Sequence, residues 1–201
     1  MNIAVFASGR GTNFSAIIKA VKSGRIKANL SLLVCDNPKA GAVSRAKRAG
    51  IKAVLVKRED FPGKEEFEAK IIEHLETSKI DLIILAGFMR LLSPEFVGRY
   101  AGRILNIHPA LLPSFKGEEA IKDAFEYGVK ITGVTVHFVD EKMDHGPVIL
   151  QKALQISEDD TLESLEAKIH KIEHRLYPEA IGLFVEGKIK LEGRKTRISN
   201  R

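Results

Sequence analysis

The chain has 201 residues, 44% hydrophobic and 29% charged, with a formal net charge of +6; this is enough for one well-buried core and short for two full domains. Its only cysteine, Cys35, excludes a disulfide framework and a cysteine-rich metal site. No apolar run approaches the ~20 residues of a membrane span. Residues 1–201 are therefore read as one soluble domain. The N-terminus enters a strand pattern without a basic, cleavable leader, so a cytoplasmic location with no membrane partner is expected.

The first strand pattern, IAVFA at 3–7, leads into Ser8-Gly9-Arg10-Gly11-Thr12-Asn13 and then a helical pattern over 13–22. Glycines let the backbone approach a ligand, and hydroxyl and amide residues suit a helix N-cap. Free N–H groups and the helix dipole make such a turn an anion site, into which a phosphate fits. A dinucleotide fingerprint would need a third glycine near position 14, where Phe14 stands, and no Gly-Lys-Ser/Thr follows to make a triphosphate loop. Asp36, just after the second strand, keeps a dehydrogenase reading open, because a carboxylate there can hold a ribose. A tight turn without ligand is the plainer alternative for the glycine loop.

Further apolar strands follow at 30–34, 53–56, 82–86 and 103–107, with helical spacing at 41–49 and 64–77, as in Phe67, Ile71, Ile72 and Leu75. Near-continuous apolar strands alternating with helices imply an α/β fold, a doubly wound, mostly parallel sheet buried on both faces. The fifth strand delivers Asn106 and His108 two residues apart and stops at Pro109. Residues i and i+2 share one strand face, and proline cannot extend the ladder. The pair is thus expected at a strand's C-terminal end, where open parallel sheets form their ligand crevice.

After Gly117, a helix near 118–127 precedes ITGVTVHFV and PVILQKALQI, two longer strands joined through Asp140 to Gly146, an antiparallel addition to the sheet. A long helical pattern covers 162–185, and Pro178 marks where it is expected to break or turn. From about 188 a basic C-terminal tail reads as a solvated end. No interleaved aromatics accompany it, so no nucleic-acid partner is expected.

The turn Asp144-His145-Gly146-Pro147 can bring a carboxylate to the crevice. A carboxylate beside His108 would stabilise its imidazolium form and poise it as a general acid. Asn106 would donate its amide N–H to a developing oxyanion. Neither Ser114 nor Thr135 is placed by local sequence beside a base, so no acyl-enzyme is indicated. The trio suits direct attack of an external amine on a carbonyl through a tetrahedral intermediate.

The stretch GFMRLLSPEFVGRYAGRILNIHPALLPSFKG, followed by ITGVTVHFVDEKMDHGPVILQ, resembles the folate-dependent formyltransferases, and SGRGTN is similar to the loop of their purine-biosynthetic branch. The similarity runs from Ile3 to about Gly193. It implies a Rossmann-like formyltransferase fold and passage of the formyl group of 10-formyltetrahydrofolate, as cosubstrate and without a metal, to the amine of glycinamide ribonucleotide. By matching motif positions, the resemblance assigns formyl polarisation to Asn106, proton handling to His108 and support of the charged ring to Asp144. It assigns the substrate phosphate to Gly11, Thr12 and Asn13, and remaining substrate contacts to Glu173 and to Lys171. Folate would lie along Met89, Arg90, Leu91 and Leu92 and against Asn106, with help from Lys64, a position where some relatives carry arginine. Lys116 stands where many relatives have proline.

Rivals remain. His170-Lys171-Ile172-Glu173-His174 matches the inverted zinc-protease motif, but no third ligand accompanies it, and a helix with a polar face is the plainer reading. The methionyl-tRNA formyltransferases share the histidine and aspartate turns but carry a further C-terminal module, and formyltetrahydrofolate hydrolases carry an additional N-terminal one. A non-catalytic nucleotide-binding module would need only the glycine loop. His74 and His145 are expected to be solvated and His137 to be packed or structural. Phe88-Met89 and Leu91-Leu92 read equally as core or ligand contacts. A homodimer stays open beside a monomer.

Overall fold

The computed structural model describes residues 1–199. Seven strands form one sheet in the order β3-β2-β1-β4-β5-β6-β7. The first five, β1 (Asn2–Phe6), β2 (Asn29–Cys35), β3 (Lys52–Leu55), β4 (Leu82–Leu85) and β5 (Ile104–His108), pair in parallel. β6 (Ile131–Phe138) and β7 (Val148–Gln155) join antiparallel beyond β5. Every sequence-derived strand is present within one or two residues. The outward order from β1 reverses between β1 and β4, a topological switch point that opens a crevice beyond the strand ends.

Alternation along each strand divides the interior in two. Ile3, Val5, Leu33, Leu82, Ile84 and Leu105 face the layer that includes α1 (Thr12–Lys22), α2 (Gly41–Ala49) and α6 (Leu162–Val185). Ala4, Phe6, Leu32, Val34, Ile83 and Ile104 face α3 (Lys64–Thr77) and α4 (Pro94–Arg99). A short α5 (Ala120–Tyr127) precedes β6. This two-sided burial is why the parallel strands read as unbroken apolar runs.

Two expectations are corrected. The helix over 162–185 runs through Pro178 without a break. A proline inside a helix costs about 3 kcal/mol, but here it lies buried with Tyr177, Ala180 and Ile181 against the sheet, and that packing carries the helix past the missing N–H. The Tyr177 hydroxyl shares its proton between the carbonyls of Leu85 and Leu105, at 2.8 and 2.9 Å. Burial pushes that hydroxyl well above its ordinary range and keeps it a donor.

The second correction concerns the basic tail. Residues Ile189–Glu192 (β8) and Lys195–Ile198 (β9) form an antiparallel hairpin. The Thr196 hydroxyl of β9 donates to the Val148 carbonyl of β7 at 2.7 Å, so the segment is docked structure. Basic side chains at alternate positions of a strand can face water while the backbone pairs, and composition hid this. Asn200 and Arg201 lie outside the described residues. Among the described residues, no helix is long and apolar enough to cross a membrane.

Candidate active site

A cleft of about 500 Å³ opens at the switch point, bounded by the loops after β1, β4 and β5, the Val139–Asp144 loop and α6. It brings together Asn106, His108, Asp144, Gly11, Thr12, Asn13, Glu173, Met89, Arg90, Leu91 and Leu92, drawn from segments far apart in the chain.

β5 places Asn106 and His108 on one face at its C-terminal end. His108 is buried and Asn106 half-buried. Past Pro109 the chain is pinned by Thr135, whose hydroxyl donates to Ala110 O at 2.7 Å and accepts from Leu112 N at 3.1 Å. The Asp144 carboxylate arrives from the β6–β7 loop. Gly146 explains why that loop can approach so closely, since a Cβ there would stand 1.8 Å from Phe138 O. Asp144 itself sits in left-handed backbone, φ 47.

The carboxylate is held by several groups. One oxygen, Oδ2, accepts from Gly117 N at 3.0 Å and lies 3.4 Å from His108 Nδ1. The other, Oδ1, is 3.5 Å from the Asn106 amide nitrogen. His108 Nε2 donates to Phe115 O at 2.7 Å. Acceptors thus face both ring nitrogens of His108.

His137 takes part in a way that strand patterning did not reveal. Burial lowers its pKa from the ordinary imidazole value, so the ring stays neutral. Its Nδ1 donates to Phe138 O at 2.7 Å, which leaves Nε2 to accept from the Asn106 amide at 3.2 Å. The neutral ring therefore orients that amide. Register supplied the clue, because Asn106 pairs directly with His137 across β5 and β6.

Also lining the cleft, Gly11 is the left-handed residue before α1, φ 73, and no side chain caps that helix. The first-turn N–H groups of α1 are therefore free of side-chain acceptors and available to an anion. Glu173, buried on α6, accepts from Asn13 at 3.0 Å and from His170 Nδ1 at 2.8 Å. The hydrogen bond to Glu173 raises the His170 pKa from its ordinary value. Arg10 stands 3.3 Å from the other nitrogen of that ring. His170 is thus a cleft residue that the zinc-protease spacing obscured. Among the described residues no group of three or more histidine, cysteine, aspartate or glutamate side chains could hold a metal ion.

The Gly87–Leu92 loop crosses the cleft. Met89 N donates to the Ser8 hydroxyl at 3.0 Å, and Arg90 Nε donates to Asp36 at 2.8 Å. Asp36, the carboxylate weighed as a ribose ligand, is engaged by Arg90. Phe88 and Leu92 are buried, whereas Met89 is 55% and Leu91 62% exposed, so the four apolar residues divide between core and rim. Lys64 is not brought to the cleft. It opens α3 and lies 4.0 Å from buried Glu68. Lys171 is exposed and does not line the cleft. His145 is half-buried and paired with Asp140 at 2.6 Å, contrary to its expected solvation.

A doubly wound sheet whose switch-point cleft gathers an amide, an imidazole and a carboxylate beside an uncapped helix N-terminus suits group transfer. The chain belongs to the formyl transferase family, whose model matches residues 1–181. It is 48% identical over 178 residues to the phosphoribosylglycinamide formyltransferase of Bacillus subtilis strain 168, a match covering 89% of this chain and 91% of that protein. It is 39% identical to the enzyme of that name from Escherichia coli K12, covering 95% and 90%. The crystal structure of glycinamide ribonucleotide transformylase 1 from Symbiobacterium toebii superposes with a TM-score of 0.97 at 44% identity, covering 100% of this chain and 94% of that one.

Proposed function

We propose that this protein is a cytosolic enzyme that transfers the formyl group of 10-formyltetrahydrofolate to the amine of glycinamide ribonucleotide in purine biosynthesis. The observation that carries the reading is the convergence of Asn106, His108 and Asp144 in a cleft that an uncapped helix N-terminus also lines. The α1 N-terminus with Gly11, Thr12 and Asn13 takes the ribonucleotide phosphate, and Glu173 takes its polar groups. The exposed apolar side chains of Met89, Leu91 and Met143 at the cleft rim suit the ring system of the folate.

The substrate amine attacks the formyl carbon, and the Asn106 amide donates to the oxygen as it becomes an oxyanion. His108 moves the proton from the attacking nitrogen to the departing folate nitrogen, and Asp144 stabilises the ring while it is charged. Nε2–H of His108 must leave Phe115 O to serve this role through that nitrogen. Phe115 at φ 49 and Gly117 at φ 101 place that turn in unusual backbone, which is where a small shift would occur. No step requires a metal.

The test is an assay with purified protein, both substrates, omission of each in turn, and an added chelator. Product formed only with both substrates, and unaffected by chelator, is the expected result. Formyl-donor hydrolysis without the amine would overturn it in favour of a hydrolase.

A further inference from the structure

The β8–β9 hairpin lies beyond the residues matched by the family model, and its turn reaches back to the loop that carries Asp144. Arg194 donates from Nη2 to the His145 carbonyl at 2.6 Å, and its Nη1 lies against the ring, 3.1 Å from Nε2 and 3.2 Å from Nδ1. His145 Nδ1 donates to Asp140 Oδ2 at 2.6 Å, and Asp140 Oδ1 accepts from Lys142 N at 3.1 Å. The guanidinium therefore grips both backbone and ring of the residue directly after Asp144, while Asp140 ties the front of the same loop to that ring. Among the described residues Arg194 pairs with no carboxylate, although an exposed arginine ordinarily finds one or stays in water. Thr196 fastens the hairpin to β7 at Val148, three residues beyond His145.

We propose that the C-terminal hairpin is a positioning element for the catalytic loop, with Arg194 as the positioning residue that fixes the Asp140–His145 segment and so the Asp144 carboxylate. The proposal rests on the reading of Asp144 as the support of His108. Asp144 has little to hold it from its own backbone, being left-handed at φ 47 beside exposed Lys142 and Met143. A planar fork can hold a carbonyl and an imidazole together, which a lysine ammonium on a flexible stem cannot.

The experiment compares the full chain with Arg194→Ala, Arg194→Lys and Thr196→Val. It follows kcat, KM for each substrate, Tm, and amide exchange at Gly117, whose N–H donates to Asp144. Arg194→Ala is expected to lower kcat about tenfold and to speed Gly117 exchange, while KM for glycinamide ribonucleotide and exchange in β1, β4 and β5 stay unchanged. Arg194→Lys should fall between, and Thr196→Val should shift both readouts the same way but less. If Arg194→Ala does not fold, the other two variants carry the comparison. Unchanged kcat and unchanged Gly117 exchange would overturn the proposal. So would a loss that tracks Tm and appears equally across the sheet, since that is a stability effect. Because exchange needs no turnover, faster Gly117 exchange in a protein that forms no product would uphold the positioning role and reject the assigned reaction.

Discussion

At Asp144 the left-handed backbone is one that asparagine adopts as readily as aspartate. Asp144→Asn therefore removes the charge and leaves the loop's course intact. Turnover is expected to fall by about two orders of magnitude, the range of general acid–base groups, with an unchanged circular dichroism spectrum. Activity near the parent's would remove Asp144 from the mechanism. His137 offers a subtler test. His137→Phe keeps a ring in the strand but takes away the acceptor that orients Asn106, and roughly a tenfold drop in kcat is expected. Steady-state kinetics showing no drop would make the ring mere packing.

The glycine loop before α1 couples fold and binding. Close approach to a phosphate suggests that Gly11→Val acts through affinity, but the structure gives a stronger effect. The residue is at φ 73, and a Cβ there would lie 2.9 Å from both Cα and Cβ of Ala42 on α2. Gly11→Val should therefore lower Tm by several degrees or more (about 2–4 °C per kcal/mol lost at this size), as calorimetry would show. Thr12→Ala, with no such clash, is the substitution expected to weaken ribonucleotide binding alone, measured as Kd.

On α6, the His170–Glu173 bond raises the His170 pKa, so its contribution to stability is fully present below the unfolded value and is lost as pH rises through the folded one. Glu173, Glu166 and Arg10 act on that ring, and the His174 ring stacks 6.4 Å away. The Glu173 hydrogen bond outweighs both burial and Arg10, which oppose the charge. Relative to His170→Gln, the parent should be most favoured in mild acid and lose that margin in mild alkali, as denaturant midpoints across pH would record. A margin that grows with pH would contradict the assignment.

For the whole molecule, Tyr177 joins the helix layer to the strands that build the site. Its hydroxyl serves carbonyls of β4 and β5 beneath the cleft. Tyr177→Phe removes one donor from two buried carbonyls and should cost about 1 kcal/mol of folding stability, readable by urea denaturation, with kcat lowered less than in Asp144→Asn.

Apolar periodicity by itself determined the strands, the three early helices and the doubly wound sheet, because two-sided burial writes itself as unbroken hydrophobic runs. The same local rules put Asn106 and His108 on one strand face and marked the glycine loop as an anion site. Everything that depended on distant segments meeting was decided only by the tertiary structure. Pro178 inside α6, the docked β8–β9 hairpin, Arg90 on Asp36, and His137 turning the Asn106 amide all rest on partners 31 or more residues away or on packing against the sheet. Local sequence sets what a backbone prefers, but which carboxylate or imidazole a side chain meets is fixed by where the sheet carries it.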